Sequence, residues 1–509
     1  MIRRFAVSFK ALPRGRAFFF ASPQAAMSRF RSLPRRAAAC ALAVCTLLGA
    51  AAQAQRRPPP APPLRVGEIN SYRAQPAFLE PYRKGWQLAQ EEINAQGGVL
   101  GRRLQVVSRD DKGSADGALQ AARQLRERDG IDVFFGGFLS QAGLALAGYA
   151  QRSQAFYLAA APLTDKLVWQ QGNPYTYRVG PSSRMLIAAL APRALGLRKA
   201  RWALVYPDDE YGRGAAETFK AIMRAFQSGV TFVAEQAVPA ARADLRAAAR
   251  QLADAKPDAF FNALYGADLA RFVREGNVQS LFAGRPVVAP LAGLPEYLEP
   301  LGADAPAGWL VTGYPRQAID TDAHRRFEQA YRQRYGAAPQ AGSVLGYTTL
   351  MALAAGLRKA GSVQPEALAE AFAGLEADSP FGPFQFRRVD HQSTLGVYIG
   401  TTAVENGQAV MRPTGYLEGS RLQPLDNEVR RLRPQSAREH EAADAAPATQ
   451  SPHTQAPATP AGTPPMGPAL PAFPAAEETQ RAPMLQRDRP LPPRQPQGVL
   501  VRPRAAPLH

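Results

Sequence analysis

A strand-to-helix turn occurs twice between Gly130 and Leu167. The apolar run Ile131 to Phe135, bounded by glycines, is typical of a strand buried on both faces. Gly136-Gly137 can turn the backbone without steric cost, and Ser140 stands where the N-cap of a helix over Gln141 to Arg152 is expected. The pattern predicts a strand, a turn and a helix that packs back onto the sheet.

A second apolar strand is predicted from Ala155 to Ala160, followed by a turn that contains Pro162, Thr164 and Asp165. Because the carboxyl ends of parallel strands meet at one edge of a sheet, the two turns should form a crevice of free N–H groups. Such a crevice suits a carboxylate or another small anion. The alternative is two ordinary turns with routine helix caps.

The same alternation begins earlier, with strands predicted at Leu64 to Ile69 and Leu104 to Ser108 and helices at Glu80 to Ala95 and Ala115 to Arg128. Units of roughly 30 residues with this order predict a parallel sheet with right-handed crossovers. The alternation continues from a strand at Tyr175 to Val179 and predicts a second doubly wound sheet. Its strands are expected at residues 201–206, 230–238, 258–263, 286–290 and 309–313.

The chain is predicted to return to its first lobe after the second is built. Two long helices, Asp322 to Tyr335 and Ser343 to Ala360, follow each other without an intervening strand. Phe384 to Arg388 and Leu395 to Gly400 are then predicted to form a closing β-hairpin. The sequence therefore predicts an α/β protein with a first lobe at residues 64–179 and 314–390 and a second at 180–313 and 391–417.

Residues 1–54 have the features of a cleavable export signal. Arg29 to Arg36 is rich in arginine, the apolar run Ala37 to Ala52 is short for a membrane span, and Ala52-Gln53-Ala54 fits a cleavage site. Met27 is a candidate for the true start. We therefore expect a mature chain from Gln55, exported to the periplasm.

The charge is concentrated at the two ends of the chain. Of the net charge of +19, residues 1–54 carry +9 and residues 430–509 carry +4, so the body carries only +6. A nucleic-acid partner is therefore not expected. Residues 434–509 hold 17 prolines and one aromatic residue, Phe473, and the whole segment 424–509 is predicted to be a disordered, proline-rich tail.

The sequence favours binding over catalysis. Both cysteines, Cys40 and Cys45, lie in the export signal, the five histidines lack metal-ligand spacing, and no phosphate-binding or nucleophile motif occurs. The acidic pairs Asp110-Asp111 and Asp208-Asp209 follow predicted strands, where such residues usually cap helices or form turns. We expect neither an enzyme nor a bound metal or cofactor.

Two tyrosines are candidate ligand residues of the second lobe. Tyr211 follows the strand end at Tyr206, and Tyr265 occupies the equivalent place in a later unit. Side chains at the carboxyl ends of strands in two lobes can face one another across a cleft. The alternative for each tyrosine is an aromatic residue of the core or of its rim.

Four short segments together resemble a known family. They are Gly85 to Gly98 (GWQLAQEEINAQGG), Val133 to Leu167, Asp209 to Gly214 (DEYGRG) and Ala307 to Thr312 (AGWLVT). From Leu64 to Gly415 the chain resembles the type I periplasmic binding proteins of the Leu/Ile/Val uptake group, which serve ABC transporters. The resemblance implies two Rossmann-like lobes, joined by three hinge strands, that close on a small solute.

The resemblance also implies roles for individual residues. Ser140 matches a position that contacts the ligand α-carboxylate, together with Leu163 or Thr164. Tyr211 and Tyr265 match aromatic positions of the second lobe that cover the ligand. Phe78 falls where an apolar or aromatic pocket residue is common.

One departure from the family concerns the ligand ammonium group. The acid that usually pairs with it should follow Pro290, but Leu291 and Ala292 stand there, unless Asp268 or Glu296 replaces it. We therefore expect a monomeric solute-binding protein for a small carboxylate, delivering to ABC permease subunits. The alternative function is a periplasmic sensor of the same fold, and an enzyme is the third possibility.

Overall fold

The computed structural model describes residues 61–239 and 244–433. In chain order its strands are β1 (Leu64–Asn70), β2 (Leu104–Asp110), β3 (Val133–Gly136), β4 (Phe156–Ala159), β5 (Thr176–Arg178), β6 (Arg201–Pro207), β7 (Thr231–Val238), β8 (Ala259–Asn262), β9 (Val287–Gly293), β10 (Leu310–Gly313), β11 (Glu376–Ser379), β12 (Gly382–Gln385), β13 (Val397–Glu405) and β14 (Gln408–Leu417). The α-helices are α1 (Pro76–Ala95), α2 (Ala115–Glu127), α3 (Ser140–Ser153), α4 (Ser183–Gly196), α5 (Glu210–Phe226), α6 (Leu245–Asp254), α7 (Gly266–Val278), α8 (Pro295–Leu298), α9 (Asp322–Tyr335), α10 (Ala341–Ala360), α11 (Pro365–Phe372) and α12 (Asp426–Leu432).

The strands build two lobes, as the sequence predicts. The first lobe contains a five-stranded parallel sheet in the order β2-β1-β3-β4-β5. All four residues of β3 and of β4 are buried, which matches the apolar runs that predict them. The second lobe contains a seven-stranded sheet in the order β14-β13-β10-β9-β8-β6-β7. Its strands β6 to β10 are parallel, and β13 and β14 are added antiparallel.

Helix α10 returns to the first lobe and packs closely on α1. A Cβ atom on Gly346 would lie 2.1 Å from the carbonyl oxygen of Tyr82, and one on Gly85 would lie 2.1 Å from that of Ser343. Only glycine permits such an approach of two helix backbones. The packing brings the N-terminal ends of α1 and α10 together, because a Cβ on Gly342 would meet the carbonyl of Phe78.

The chain passes between the lobes three times. It leaves the first sheet after β5, leaves the second sheet after β10, and re-enters the second sheet before β13. The first and third passages run side by side, since Arg178 forms a parallel bridge with Gln392. These three connections are the elements about which the lobes can rotate.

The predicted closing hairpin of Phe384 to Arg388 with Leu395 to Gly400 is only partly correct. Phe386 forms an antiparallel bridge with Ser393, so the first segment does fold back, but the pairing ends before Leu395. Strand β11 pairs with β12, and β13 pairs with β14, so the two predicted segments belong to different sheets. Strand β13 pairs with β14 because of the turn Asn406-Gly407, in which both residues have positive φ, 51° and 75°. An Asn-Gly turn of this kind folds the chain directly back, which gives β13 a nearer partner than the one predicted.

The prediction of a disordered segment from residue 424 is wrong for the part that the structure describes. Helix α12 packs on the first lobe: Val429 is fully buried and Arg433 donates a hydrogen bond of 2.6 Å to the carbonyl of Val389. Glu428 pairs with Arg184 at 3.2 Å. The remaining tail and the predicted export signal, with Met27, Cys40 and Cys45, lie outside the described residues. None of the helices within residues 61–239 and 244–433 is long and apolar enough to cross a membrane.

Two truncations should separate helix α12 from the tail that follows it. A chain ending at Arg433 should melt at the temperature of the full-length protein, because a proline-rich segment contributes little packing. A chain ending at Pro424 should melt several degrees lower, because it loses the buried side chains of Val429 and Arg433. Calorimetry of the three proteins checks this, and equal melting temperatures for both truncations would contradict it.

Candidate functional site

The carboxyl ends of the two sheets face one another, and the turns that follow the strands approach across the gap between the lobes. From the first lobe come the turn after β3, which contains Phe138, and the turn after β4, which contains Thr164. From the second lobe come the turns after β6 and β8, with Glu210 and Tyr265. The lobes are in a closed arrangement, because Thr164 contacts Glu210 and Phe138 contacts Tyr265 across this cleft.

Ser140 is buried in the cleft but does not cap its helix as predicted. It is the first residue of α3, and the N-cap is Leu139, which has no side-chain hydrogen bond to the helix. The Ser140 hydroxyl instead accepts a hydrogen bond of 3.1 Å from the backbone N–H of Thr164. Gly136 and Gly137 both have positive φ, 111° and 82°. The turn they form places Ser140 at the first position of the helix, one residue after the N-cap position predicted for it. The hydroxyl thereby joins the two predicted turns.

Thr164 links the two lobes. Its hydroxyl donates a hydrogen bond of 2.9 Å to Glu210 at the start of α5, and the ammonium of Lys166 lies 3.0 Å from the same carboxylate. Thr164 also caps the short 3-10 helix that contains Lys166. The predicted crevice of free N–H groups is therefore partly occupied, because the Thr164 amide binds Ser140 and its hydroxyl binds Glu210.

A buried guanidinium, that of Arg178, binds the backbone carbonyls of the turn that contains Thr164. Arg178 is 1% exposed and donates hydrogen bonds of 3.1 Å and 2.5 Å to the carbonyls of Pro162 and Thr164, and one of 2.5 Å to the side chain of Gln392. Burial lowers the pKa of Arg178 to about 10, so the group stays charged at neutral pH. Sequence reasoning missed Arg178, although a charged residue within an apolar strand is itself a signal of a buried partner.

Aromatic side chains form a continuous row across the cleft. Phe138 of the first lobe contacts Phe78, with ring centroids 5.2 Å apart, and Tyr265 of the second lobe, at 5.9 Å. Tyr265 contacts Tyr211 at 5.9 Å and Tyr297 at 6.3 Å. The structure therefore brings Phe78, Tyr211 and Tyr265 together through Phe138. Sequence reasoning missed Phe138, whose position directly after the glycine pair was the available signal.

An apolar cavity of about 130 Å³ lies beside this row. Of the predicted site residues, Phe78, Leu163 and Leu291 line it, and Ser140, Thr164, Tyr211 and Tyr265 do not. Phe138 and Tyr297 line it as well, which connects the cavity to the aromatic row.

All three connections between the lobes contribute to the cavity wall, through Gly180, Gly313 and Val397 among others. Two of its polar side chains already have partners. The hydroxyl of Thr312 donates to the carbonyl of Pro290, and the hydroxyl of Tyr314 lies 2.7 Å from Nε2 of His324. The cavity can therefore bury an apolar group against the hinge itself.

Neither acid proposed to replace the missing ammonium partner lines the cavity. Leu291 and Ala292 are buried at the end of β9. Asp268 pairs with Arg271 at 2.6 Å, and Glu296 accepts a hydrogen bond of 2.6 Å from the backbone N–H of Gly342. Within the described residues, every side chain on the cavity wall is uncharged.

A buried carboxylate lies under the turn after β3. Glu68 is fully buried, accepts hydrogen bonds from Ser108 at 2.5 Å and from Asn70 at 3.0 Å, and would be 3.2 Å from a Cβ atom on Gly136. Burial raises the pKa of Glu68 to about 7 against the lowering effect of these hydrogen bonds. Within residues 61–239 and 244–433, no group of three or more His, Cys, Asp or Glu side chains could hold a metal ion.

Glu68→Gln should flatten the pH dependence of stability. Because the folded state raises the pKa of Glu68, it binds a proton more tightly than the unfolded chain, so the free energy of unfolding falls as the pH rises from about 4.5 to about 7. The variant should lose about 2–3 kcal/mol less than the wild type between pH 5 and pH 8. Urea titrations measure this, with the surface variant Glu80→Gln as the control. Equal pH dependence in all three proteins would contradict the assignment.

The chain is similar to known proteins in both sequence and fold. The family model described as periplasmic binding protein matches residues 65–408. The Leu/Ile/Val-binding protein homolog 7 of Brucella melitensis is 24% identical over 358 residues, which span 67% of this chain and 86% of that protein. Homolog 8 of Brucella abortus is 26% identical over 318 residues, which span 58% and 76%.

Solved structures share the fold. A solute binding protein of an ABC transporter from Rhodopseudomonas palustris, in complex with 3,4-dihydroxybenzoic acid, has a TM-score of 0.62 at 22% identity and covers 70% of this chain and 97% of its own. Another from R. palustris, in complex with benzoate, has a TM-score of 0.61 at 20% identity and covers 70% and 96%. The leucine binding protein LivK of Thermotoga maritima has a TM-score of 0.60 at 22% identity and covers 70% and 98%.

Proposed function

Because the chain belongs to the family of periplasmic binding proteins, we propose that it is the exported solute-binding protein of an ABC importer. It binds a small monocarboxylate with an apolar or aromatic body in the cleft between its lobes. The observation that carries this ligand class is an uncharged, apolar cavity lined by Leu163, which directly precedes Thr164, the hydrogen-bond partner of Ser140. Binding, and not catalysis, is the function of the site.

The carboxylate is held at the first turn of α3. Ser140 accepts the Thr164 amide and retains its own hydroxyl hydrogen for donation to an anion. The N-terminus of a 14-residue helix adds a favourable field for negative charge. The buried guanidinium of Arg178 places a fixed positive charge behind the neighbouring turn.

The apolar body of the ligand enters the cavity between Phe78, Leu163 and Leu291. Burial of an aromatic ring against such walls is the main source of affinity for small apolar ligands. Two proteins with this fold bind benzoate and 3,4-dihydroxybenzoic acid, which agrees with the proposed class. An amino acid would instead bury its ammonium group without a carboxylate partner, which costs several kcal/mol.

The proposed site residues act in three groups. These residues are Ser140, Leu163, Thr164, Tyr211, Tyr265, Phe78 and Leu291. Ser140 serves the carboxylate, and Thr164 positions the Ser140 hydroxyl through its backbone N–H. Phe78, Leu163 and Leu291 serve the apolar body. Tyr211 and Tyr265 close over the ligand from the second lobe through the aromatic row. The loaded protein, a periplasmic monomer released from its export signal, delivers the ligand to the permease subunits in the inner membrane.

Calorimetry with a ligand panel tests the class. Benzoate, phenylacetate and hexanoate represent apolar monocarboxylates, and leucine and valine represent zwitterions of similar size. At least one monocarboxylate should bind tenfold or more tightly than either amino acid, since an unpaired buried ammonium costs more than about 1.4 kcal/mol. Micromolar leucine with no response to the monocarboxylates would overturn the proposal.

Ser140→Ala should weaken binding of the best monocarboxylate by about 1–3 kcal/mol, because a hydrogen bond to a charged group is lost. Ser153→Ala is the matched control, since its hydroxyl donates to the Tyr149 carbonyl at the other end of the same helix. Equal affinities for the two variants would show that the carboxylate binds elsewhere.

Leu291→Glu should reverse the preference, because it places an acid directly after Pro290 on the cavity wall. We expect the variant to gain affinity for leucine and to lose it for the monocarboxylate, through pairing with the ammonium in the first case and like-charge repulsion in the second. Leu291→Gln provides a neutral control of the same size. A loss of both ligands by both variants would indicate that Leu291 only packs the cavity.

A further inference from the structure

We propose that Glu296 couples closure of the two lobes to the uptake of a proton. Glu296 belongs to α8 in the second lobe, and its hydrogen-bond donor, the N–H of Gly342, belongs to the first turn of α10 in the first lobe. This contact exists only while the lobes are together. The inference concerns the hinge motion and does not depend on the class of ligand.

The closed arrangement removes this carboxylate from water almost completely. Glu296 is 6% exposed, and only one of its two oxygens has a partner, because Oε2 is buried without a hydrogen bond. On either side, Leu294, Tyr297 and Ala341 line the apolar cavity. A carboxylate with one hydrogen bond in apolar surroundings favours its protonated form.

The charges around Glu296 oppose one another. Glu299, one turn further on, disfavours the anion, and Arg316 favours it, but these two residues pair with each other at 2.6 Å. The phenol groups of Tyr297, Tyr314 and Tyr331 make up the other titratable surroundings, and the hydroxyl of Tyr314 is bonded to His324.

Desolvation therefore decides the balance and raises the pKa of Glu296 from 4.5 to about 7 in the closed arrangement.

The direction of the coupling follows from this shift. When the lobes separate, Glu296 returns to water and its ordinary acidity, so the closed state binds the proton more tightly than the open state. Closure is then favoured at acid pH and weakens as the pH rises through about 7. From pH 5 to pH 8 the ratio of closed to open protein should decrease by a factor of roughly 10 to 100.

Fluorescence transfer between the lobes tests the coupling without any ligand. Fluorophores are introduced as unnatural amino acids at Asp116 and Ala267, which are exposed at the cleft-facing ends of α2 and α7. In the wild-type background the transfer efficiency should decrease from pH 5 to pH 8. In Glu296→Gln the transfer efficiency should not change with pH, because an amide does not take up a proton in this range. The amide oxygen can still accept the Gly342 N–H.

Two controls separate Glu296 from other acids. Glu68→Gln removes a carboxylate of equal burial whose partners all lie within the first lobe, and Glu299→Gln removes the charged neighbour. Both should retain the pH-dependent change. Melting curves at pH 8 verify that every variant is folded. A wild-type signal that does not vary with pH, or a full pH response in Glu296→Gln, would overturn the inference.

Discussion

The guanidinium of Arg178 joins the turn after β4 to the connections between the lobes. It binds the carbonyls of Pro162 and Thr164 on one side and the side chain of Gln392 on the other. Gln392 in turn donates to the carbonyl of Gly180, on the first passage between the lobes. Removing this buried cation would leave several carbonyl groups without donors, so the position of Thr164 and the path of two hinge strands depend on it.

Much of the fold follows from local patterns. Short apolar runs predict β3 and β4, because a strand that is buried on both faces consists almost entirely of apolar residues. The closing hairpin shows the limit of that reasoning. Its strand β13 pairs with β14 instead, because Asn406-Gly407 carries a stronger turn signal than the spacing of the apolar runs.

The site was less predictable because its contacts connect residues far apart in the chain. Ser140 was expected to bond within its own helix, whereas its partner is Thr164, 24 residues later. Glu296 and Gly342 are 46 residues apart and meet only because α10 packs on α1 beneath the cleft. Neither pairing has a sequence pattern. The replacement of an acid by Leu291, in contrast, was visible directly and agrees with the uncharged wall of the cavity.

We propose that the cleft receives a carboxylate whose body is apolar. Native mass spectrometry of the full-length protein, purified from the envelope without added ligand, tests this most directly through the identity of the released molecule. The expected molecule is a small monocarboxylic acid with an aromatic or aliphatic body. Leucine, valine or a molecule without a carboxyl group would contradict it.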